Sequence, residues 1–189
     1  MSETAASRKG LSTRDITYIA ICAALMAVCS WISIPAPAPL APFTLQTFAV
    51  FLIMLLLGGK RGFLTVLTYI LLGAVGLPVF AQFMGGVGVL FGTTGGYIIG
   101  FLFTALLYWA LERVIAGKGA LQIAALVLGL IVCYAFGTAW FMVVYARQAG
   151  AVGLATALGW CVLPFIIPDL AKLALAWFLS TLLHRHVHL

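Results

Sequence analysis

The stretch between Arg147 and His184 constrains the fold most, because it is almost wholly apolar and holds only two charged side chains, Asp169 and Lys172. A single charge at the centre of a bilayer costs about 2.5 to 3.5 kcal/mol on insertion scales, so such groups face a bundle interior and pair with each other or with a ligand. The two residues are three positions apart, and a helix therefore places both on one face. We predict that the remaining helices form the walls of a cavity that this pair faces. The alternative is that the pair only fixes its helix to neighbouring helices.

The composition is that of an integral membrane protein. Of the 189 residues, 65% are hydrophobic and 7% are charged, whereas a soluble domain has about 45 to 50% apolar and 25% charged residues. The net charge of +6 would suit nucleic acid, but the basic residues lie singly or in pairs at the ends of apolar runs. This placement favours contact with lipid headgroups, so we expect one compact bundle in a lipid bilayer and no nucleic-acid partner.

The apolar runs predict an all-α protein with six transmembrane helices, since about 20 residues span the hydrocarbon core. The expected helices cover residues 15–34, 43–57, 63–76, 97–111, 121–145 and 153–183, with a turn at 58–62. Pro164 and Pro168 remove backbone donors from the last helix, so we expect a break beside Asp169. Ser12 or Thr13 is expected to cap the first helix.

The distribution of Lys and Arg predicts the orientation of the bundle. Six crossings place both termini on one side, which carries eight Lys and Arg residues, whereas the other side carries only Arg147. The positive-inside rule makes the terminal side cytoplasmic. Residues 1–14 and 184–189 are then cytoplasmic tails, and residues 15–183 form the transmembrane domain. The eight basic residues are Arg8, Lys9, Arg14, Lys60, Arg61, Arg113, Lys118 and Arg185.

Two connections on the opposite side are too irregular for helices. The first has four prolines between positions 35 and 42, and the second has seven glycines and no charge between positions 76 and 96. Irregular backbone at membrane depth is tolerated only where protein covers it or where it lines a cavity. We expect both connections to close the outer end of the cavity that contains Asp169 and Lys172, although a flexible external loop is the alternative for the second. The prolines are Pro35, Pro37, Pro39 and Pro42.

The first helix carries two stripes of small residues, which allow another helix to approach closely. One stripe is Ala20 and Ala24, and the adjacent one is Ala23 and Ala27. Spacing alone does not distinguish packing within the chain from docking of a partner.

Motifs for catalysis or metal binding are absent from the sequence. The four cysteines lie in apolar segments without metal-ligand spacing, and the chain has no HExxH motif and no Walker lysine. We therefore expect no enzymatic activity, no metal, and no cofactor in this chain.

Several segments together resemble the BioY family, the biotin-specific substrate-binding (S) components of energy-coupling factor (ECF) transporters. They are PFTLQT at 42–47, LLGGKRG at 56–62, LLGAVGLPVF at 71–80 and GTTGGY at 92–97, together with Asp169 and Lys172. Two positions depart from the usual family pattern: Thr93 replaces a proline, and Ile167-Pro168-Asp169 replaces Pro-Gly-Asp.

The resemblance implies a six-helix S-component bundle in the bacterial inner (plasma) membrane. Such a protein captures biotin from the exterior and works with a transmembrane coupling (T) protein and two cytoplasmic ABC-type ATPases, which hydrolyse ATP. Ala20 and Ala24 match the AxxxA docking stripe of the family, so the resemblance favours a partner-docking face on the first helix, with Ala23 and Ala27 beside it. The resemblance does not decide whether the chain also forms a homo-oligomer.

Biotin has a ureido ring with two N–H donors and a carbonyl, an apolar thioether ring and a carboxylate tail. Asp169 can accept from the ureido N–H groups, and Lys172 can donate to the carbonyl or pair with the tail. Further expected contacts are Thr44, Gln46, Gln82, Gly86, Thr94, Tyr97, Phe80, Phe91 and Trp31. The alternatives are a solitary biotin facilitator, a proton-coupled carrier in which Asp169 relays the proton, or a structural membrane subunit without a ligand.

Overall fold

The computed structural model describes residues 11–35 and 41–186, which are mostly helical. Its α-helices are α1 Thr13–Trp31, α2 Gln46–Ala74, α3 Val87–Leu90, α4 Gly95–Ile115, α5 Gly119–Ala149, α6 Leu154–Cys161 and α7 Leu163–His186. A short antiparallel pair, β1 Ser33–Ile34 and β2 Phe43–Thr44, joins α1 to α2, and a 3-10 turn covers Ala81–Phe83. The expectations for Arg8, Lys9, Pro37, Pro39, most of the N-terminal tail and the last three residues of the C-terminal tail lie outside the described residues.

Helix α2 reverses direction at Gly58, where the backbone φ is +76°. Two observations establish the reversal: the Nε2 atom of Gln46 donates to the hydroxyl of Tyr69 at 2.6 Å, and a Cβ atom at Gly62 would lie 3.6 Å from the Cα of Met54. In a straight helix, Gln46 and Tyr69 would be about 34 Å apart at 1.5 Å per residue. Residues 46–57 and 59–74 are therefore two antiparallel arms, and the predicted turn is confirmed.

The prediction of an all-α membrane protein with six helices is confirmed. Five stretches are long and apolar enough to cross a membrane, and the second contains both arms of α2. They are Thr13–Trp31, Gln46–Ala74, Gly95–Ile115, Gly119–Ala149 and Leu154–His184. Counting the two arms separately gives six transmembrane segments.

The break in the last transmembrane segment lies at Val162, whose φ of −124° and ψ of −57° end α6. Pro164 is the second residue of α7, where the missing N–H would have no helical partner. Pro168 lies inside α7, and the helix continues through it. The predicted break beside Asp169 is therefore wrong: the chain breaks earlier, and Asp169 lies on a continuous helix.

The end of the bundle that contains the start of α1 is tied together by polar contacts. Ser12 caps α1 in a reciprocal capping box with Asp15, as expected, and Asp15 also pairs with Arg61 at 2.7 Å. The amide of Gly59 donates to Oε1 of Glu112 at 2.7 Å. The start of α1, the turn of α2 and the end of α4 thus lie at one end. That this end faces the cytoplasm remains a prediction from the Lys and Arg distribution.

The two small-residue stripes of α1 face different surroundings. Ala23 and Ala27 are 3% and 6% exposed and belong to the hydrophobic core, whereas Ala20 and Ala24 are exposed. A partner cannot reach Ala23 and Ala27 without unpacking α1 from its own chain. Of the expected docking residues, the structure therefore leaves Ala20 and Ala24 accessible.

Candidate functional site

A cavity of about 600 Å³ lies among α2, α4, α5 and α7, at a distance from the Asp15–Arg61 end. Both irregular connections contribute to its wall. The first does so through Ala41 and Pro42, and the second through Phe80, Ala81, Gln82, Met84, Thr93 and Thr94. The described parts of both connections therefore lie on the cavity wall, and their closure of its outer end remains a prediction. Its volume lies within the range of small-molecule sites, about 300 to 1,000 Å³.

Asp169 and Lys172 lie on the cavity wall as a buried ion pair. Lys172 Nζ is 2.7 Å from Oδ1 of Asp169. Lys172 is 8% exposed and Asp169 is 3% exposed. Among the residues that the structure describes, no other charged side chain lines the cavity. Because the charges offset each other, the cavity holds a local dipole and no net charge from its described wall.

Two further helices contact the carboxylate of Asp169. The hydroxyl of Thr47, on the first arm of α2, donates to Oδ1 at 3.0 Å, and the hydroxyl of Tyr134, on α5, donates to Oδ2 at 2.5 Å. The carboxylate therefore joins α2, α5 and α7. These contacts satisfy most of the hydrogen-bonding demand of a buried charge, which lowers the cost of placing it at membrane depth.

The ammonium group of Lys172 has an aromatic neighbour as well as Asp169. It lies 5.1 Å from the centroid of the Phe43 ring, within the range of a cation–π contact. Phe43 stacks on Phe165 with the ring centroids 4.8 Å apart. The strand β2 and helix α7 thus hold the lysine from two sides.

A second polar group on the wall is the Gln46 amide. Its Nε2 donates to Tyr69 at 2.6 Å, and its Oε1 accepts from the hydroxyl of Thr44 at 3.3 Å. Gln46 is 6% exposed. Its orientation is therefore set by β2 and by the second arm of α2, and the reversal at Gly58 is what brings that arm to Gln46.

The glycine-rich connection is fastened to α1 and α2. Ser30 donates to the carbonyl of Val79 at 2.6 Å, and Trp31 Nε1 donates to the carbonyl of Pro78 at 2.7 Å. The ring of Phe80 is 1% exposed and lies against Gly73, where a Cβ atom would overlap it. These contacts place Phe80 on the cavity wall.

The tip of this connection has an uncommon backbone conformation. Gln82 and Phe83 have φ values of +59° and +57°, in the left-handed region that non-glycine residues seldom occupy. Phe83 stacks on Trp31 with the centroids 5.1 Å apart, and Gln82 lines the cavity. The stack holds the strained tip against the end of α1.

Eight of the eleven expected contact residues line the cavity, and three do not. Those on the wall are Asp169, Lys172, Thr44, Gln46, Gln82, Thr94, Tyr97 and Phe80. Trp31 is directed to Pro78 and Phe83 outside the cavity. Phe91 is 67% exposed and lies beside Trp140. Gly86 precedes α3 as its N-cap residue and donates its amide N–H to the carbonyl of Gly73.

Sequence reasoning missed several wall residues, of which Thr47 and Tyr134 matter most because they contact Asp169. Thr47 lies in the PFTLQT segment that supports the resemblance, so the segment could have indicated it. Leu130, Cys133 and Tyr134 share one face of α5 through their spacing of three and four residues. Without a motif, however, the spacing of α5 does not show which face meets the cavity.

A multi-pass helical bundle with a cavity of this size and a buried ion pair on its wall is typical of membrane proteins that bind a small solute. The family model described as the BioY family matches residues 2–189. The chain belongs to the BioY family.

Two relatives and one solved structure extend this finding. The chain is 42% identical to a biotin transporter of Thermotoga maritima over 91% of this chain and 96% of the relative. It is 39% identical to a probable biotin transporter of Pyrococcus horikoshii over 88% of this chain and 93% of that relative. The structure of an S-component for biotin from an ECF-type ABC transporter superposes with a TM-score of 0.79, at 27% identity, over 92% of each chain.

Proposed function

We propose that this chain is the biotin-binding S component of an ECF importer in the plasma membrane, and that biotin binds in the cavity beside Asp169 and Lys172. The observation that carries the proposal is the buried ion pair on the wall of a 600 Å³ cavity in a chain of the BioY family. The chain is a transporter component and not an enzyme.

The cavity provides the groups that biotin needs. Lys172 and Asp169 supply a donor and an acceptor for the ureido ring, and Thr44, Gln46 and Gln82 supply neutral polar groups. The apolar wall suits the thioether ring and the alkyl chain; it contains Ile98, Phe101, Leu130 and Phe165. Because Lys172 is already paired with Asp169 at 2.7 Å, the carboxylate tail of biotin is better served by the neutral donors than by this lysine.

Energy for uptake comes from partner proteins in this proposal. A transmembrane T protein docks on the outward stripe of α1, Ala20 and Ala24, which is accessible and small enough for close helix contact. Two ABC-type ATPases on the cytoplasmic side hydrolyse the ATP. Uptake into vesicles with and without these partners separates this assignment from a solitary facilitator or a proton-coupled carrier.

Titration of biotin into the purified, detergent-solubilised chain tests the substrate. We expect tight binding by the wild type and a loss of at least tenfold in Asp169→Asn and Lys172→Ala, because a buried charge-assisted hydrogen bond contributes about 1.5 to 3 kcal/mol. Asp15→Asn is the matched control, since Asp15 is a carboxylate at the other end of the bundle, and it should bind as the wild type does.

The same titration separates the alternatives. Unchanged affinity in a folded Asp169→Asn variant would show that the ion pair only fixes α7 to its neighbours. No binding by a folded wild-type sample would contradict the substrate assignment and favour a structural subunit. Thermal unfolding of every variant in the same detergent shows whether a loss of binding reflects a loss of fold.

A further inference from the structure

The wall of the cavity offers no free cation to the carboxylate of a ligand. Lys172 is committed to Asp169 at 2.7 Å, and within the described ranges the wall carries no further charge. Residues 36–40 of the first connection, which the structure does not describe, are alanine, proline and leucine and so add no charge. A ligand whose carboxylate has been converted to an amide therefore loses no ion pair in this cavity.

Neutral polar side chains that make no hydrogen bond to any described residue lie on the same wall. They include Gln82, Thr93, Thr94 and Gln148. A glutamine amide and a threonine hydroxyl can each donate and accept a hydrogen bond, so these side chains can pair with an amide as well as with a carboxylate. Recognition at this part of the wall therefore does not require a negative charge on the ligand.

Helix α5 runs along the cavity and serves as a measure of its length. At Tyr134 the helix meets the ion pair. Six residues further, Trp140 donates to the carbonyl of Gly92, which places the start of α4 about 9 Å along the axis from the ion pair. Biotin extends over about 10 Å from its ureido carbon to its carboxyl carbon, since its C–C bonds are about 1.5 Å long. With the ureido ring at the ion pair, the tail therefore ends near Thr93 and Thr94.

The cavity continues beyond the level at which the tail ends. Tyr145, Gln148 and Ala149 of α5 also line it, and Gln148 lies fourteen residues from Tyr134, or about 21 Å along the helix. Gln148 and Ala149 are exposed, so this end of the wall is open. The cavity therefore has room for a group that is attached to the end of the biotin tail.

We propose that the cavity also binds biotin whose carboxyl group is linked through an amide to an amine, such as biotinyl-lysine. This inference rests on the proposed function, which places the ureido ring at the ion pair. The amide link then meets Thr93 and Thr94, and the attached amine extends along the last turns of α5 toward Ala149. The substrate class is therefore wider than the free acid.

Titration of three ligands into the purified, detergent-solubilised chain tests the argument from charge. The ligands are biotin, biotinamide, in which a carboxamide replaces the carboxylate, and biotinyl-lysine. We expect both amides to bind within about fivefold of biotin, which is the effect of about one hydrogen bond. If biotin binds and both amides bind more than about a hundredfold more weakly, a cation holds the carboxylate and the inference is overturned. If biotinyl-lysine alone is that weak, the cavity ends at the tail, and the inference is overturned as well.

A bulky residue on the outer wall tests the placement of the attached amine. Ala149→Trp should weaken the binding of biotinyl-lysine at least about tenfold through a steric clash. The same variant should change the affinity for biotin less than about twofold, because the tail of biotin ends before this level. Ala146→Trp is the matched control, since Ala146 is an exposed alanine of the same helix that does not line the cavity. It should leave both affinities unchanged.

The outcomes are distinct from a failure of the proposed function. Equal weakening of biotin and biotinyl-lysine by Ala149→Trp, or no effect on either, would overturn the placement along α5. Absence of binding of all three ligands by a folded wild-type sample would contradict the proposed function, and this inference with it. Should Ala149→Trp not fold, as thermal unfolding in the same detergent would show, the affinities of the wild type for the two amides still decide.

Discussion

Gln46 and Tyr69 are joined by a 2.6 Å hydrogen bond across the two arms of α2, so the contact that closes the hairpin also orients an amide on the cavity wall. Tyr69 is fully buried, and Gln46 is 6% exposed. A hydrogen bond between membrane helices contributes about 0.6 kcal/mol on average and up to about 1.7. The fold of the hairpin and the polarity of the cavity are therefore coupled at this pair.

Tyr69→Phe should lower both stability and biotin affinity. We expect a loss of about 1 kcal/mol in the free energy of unfolding and a several-fold weaker affinity, because the Gln46 amide is left free to rotate. Thermal unfolding and biotin titration measure the two effects. Tyr108→Phe is the control, since Tyr108 is 2% exposed and does not line the cavity. Equal affinity in both variants would show that Gln46 needs no support from Tyr69.

Gly73→Ala should displace Phe80 from the cavity wall. A Cβ atom at Gly73 would overlap the Phe80 ring, and the carbonyl of Gly73 also accepts from the amide of Gly86 at 2.7 Å. We expect overpacking to cost about 1 to 3 kcal/mol of stability and biotin affinity to fall with it. Gly159→Ala, at a helical position with no atom near its added Cβ, should leave both unchanged. A Gly73→Ala protein of wild-type affinity would show that Phe80 makes no contact with biotin.

The transmembrane helices and the buried charged pair could be predicted from the sequence, because each depends on residues that are close together in the chain. Apolar runs of sufficient length predict transmembrane helices, and two charges in such a run predict a buried site. The turn at Gly58 followed from its glycines and basic residues. The position of the break in the last segment could not be predicted from the sequence. Pro164 and Pro168 mark two places where a helix can end, and the folded chain breaks at Val162.

The partners of Asp169 could not be predicted for a related reason. Thr47 and Tyr134 are far from Asp169 in sequence, and their contacts depend on how α2 and α5 rotate against α7. Trp31 shows the converse error: an aromatic residue near a predicted cavity suggests a ligand contact, yet its indole binds the carbonyl of Pro78 and its ring stacks on Phe83. In each case the residue type indicated which contacts the side chain can make, and the rotation of its helix determined which partner it contacts.

Glu112→Ala should destabilise the bundle without changing the cavity. The carboxylate accepts from the amide of Gly59 at 2.7 Å, at the start of the second arm of α2, where a negative charge is also favoured by the helix dipole. We expect a loss of about 1.5 to 3 kcal/mol in stability, measured by thermal unfolding, and biotin affinity within twofold of the wild type. Glu112→Gln keeps an acceptor oxygen and should therefore lose less stability than Glu112→Ala. A tenfold loss of affinity in Glu112→Ala would mean that the turn is coupled to the cavity.

The two alanine stripes of α1 should respond oppositely to the same substitution. Ala20→Leu and Ala24→Leu add side chains to an exposed face, so each variant should fold and bind biotin as the wild type does. If α1 is the docking face, each should fail to co-purify with the coupling protein, because a leucine keeps the two helices apart.

Ala23→Leu and Ala27→Leu are the matched comparison on the buried stripe. These positions are 3% and 6% exposed, so the added volume must be accommodated in the core at a cost of about 1 to 3 kcal/mol. We expect lower unfolding temperatures before any partner is added. Normal assembly by Ala20→Leu and Ala24→Leu would show that the coupling protein docks elsewhere, whereas normal stability of Ala23→Leu would contradict the packing of α1 against α2. The same substitution on neighbouring turns of one helix thus distinguishes a surface that meets a partner from one that holds the chain together.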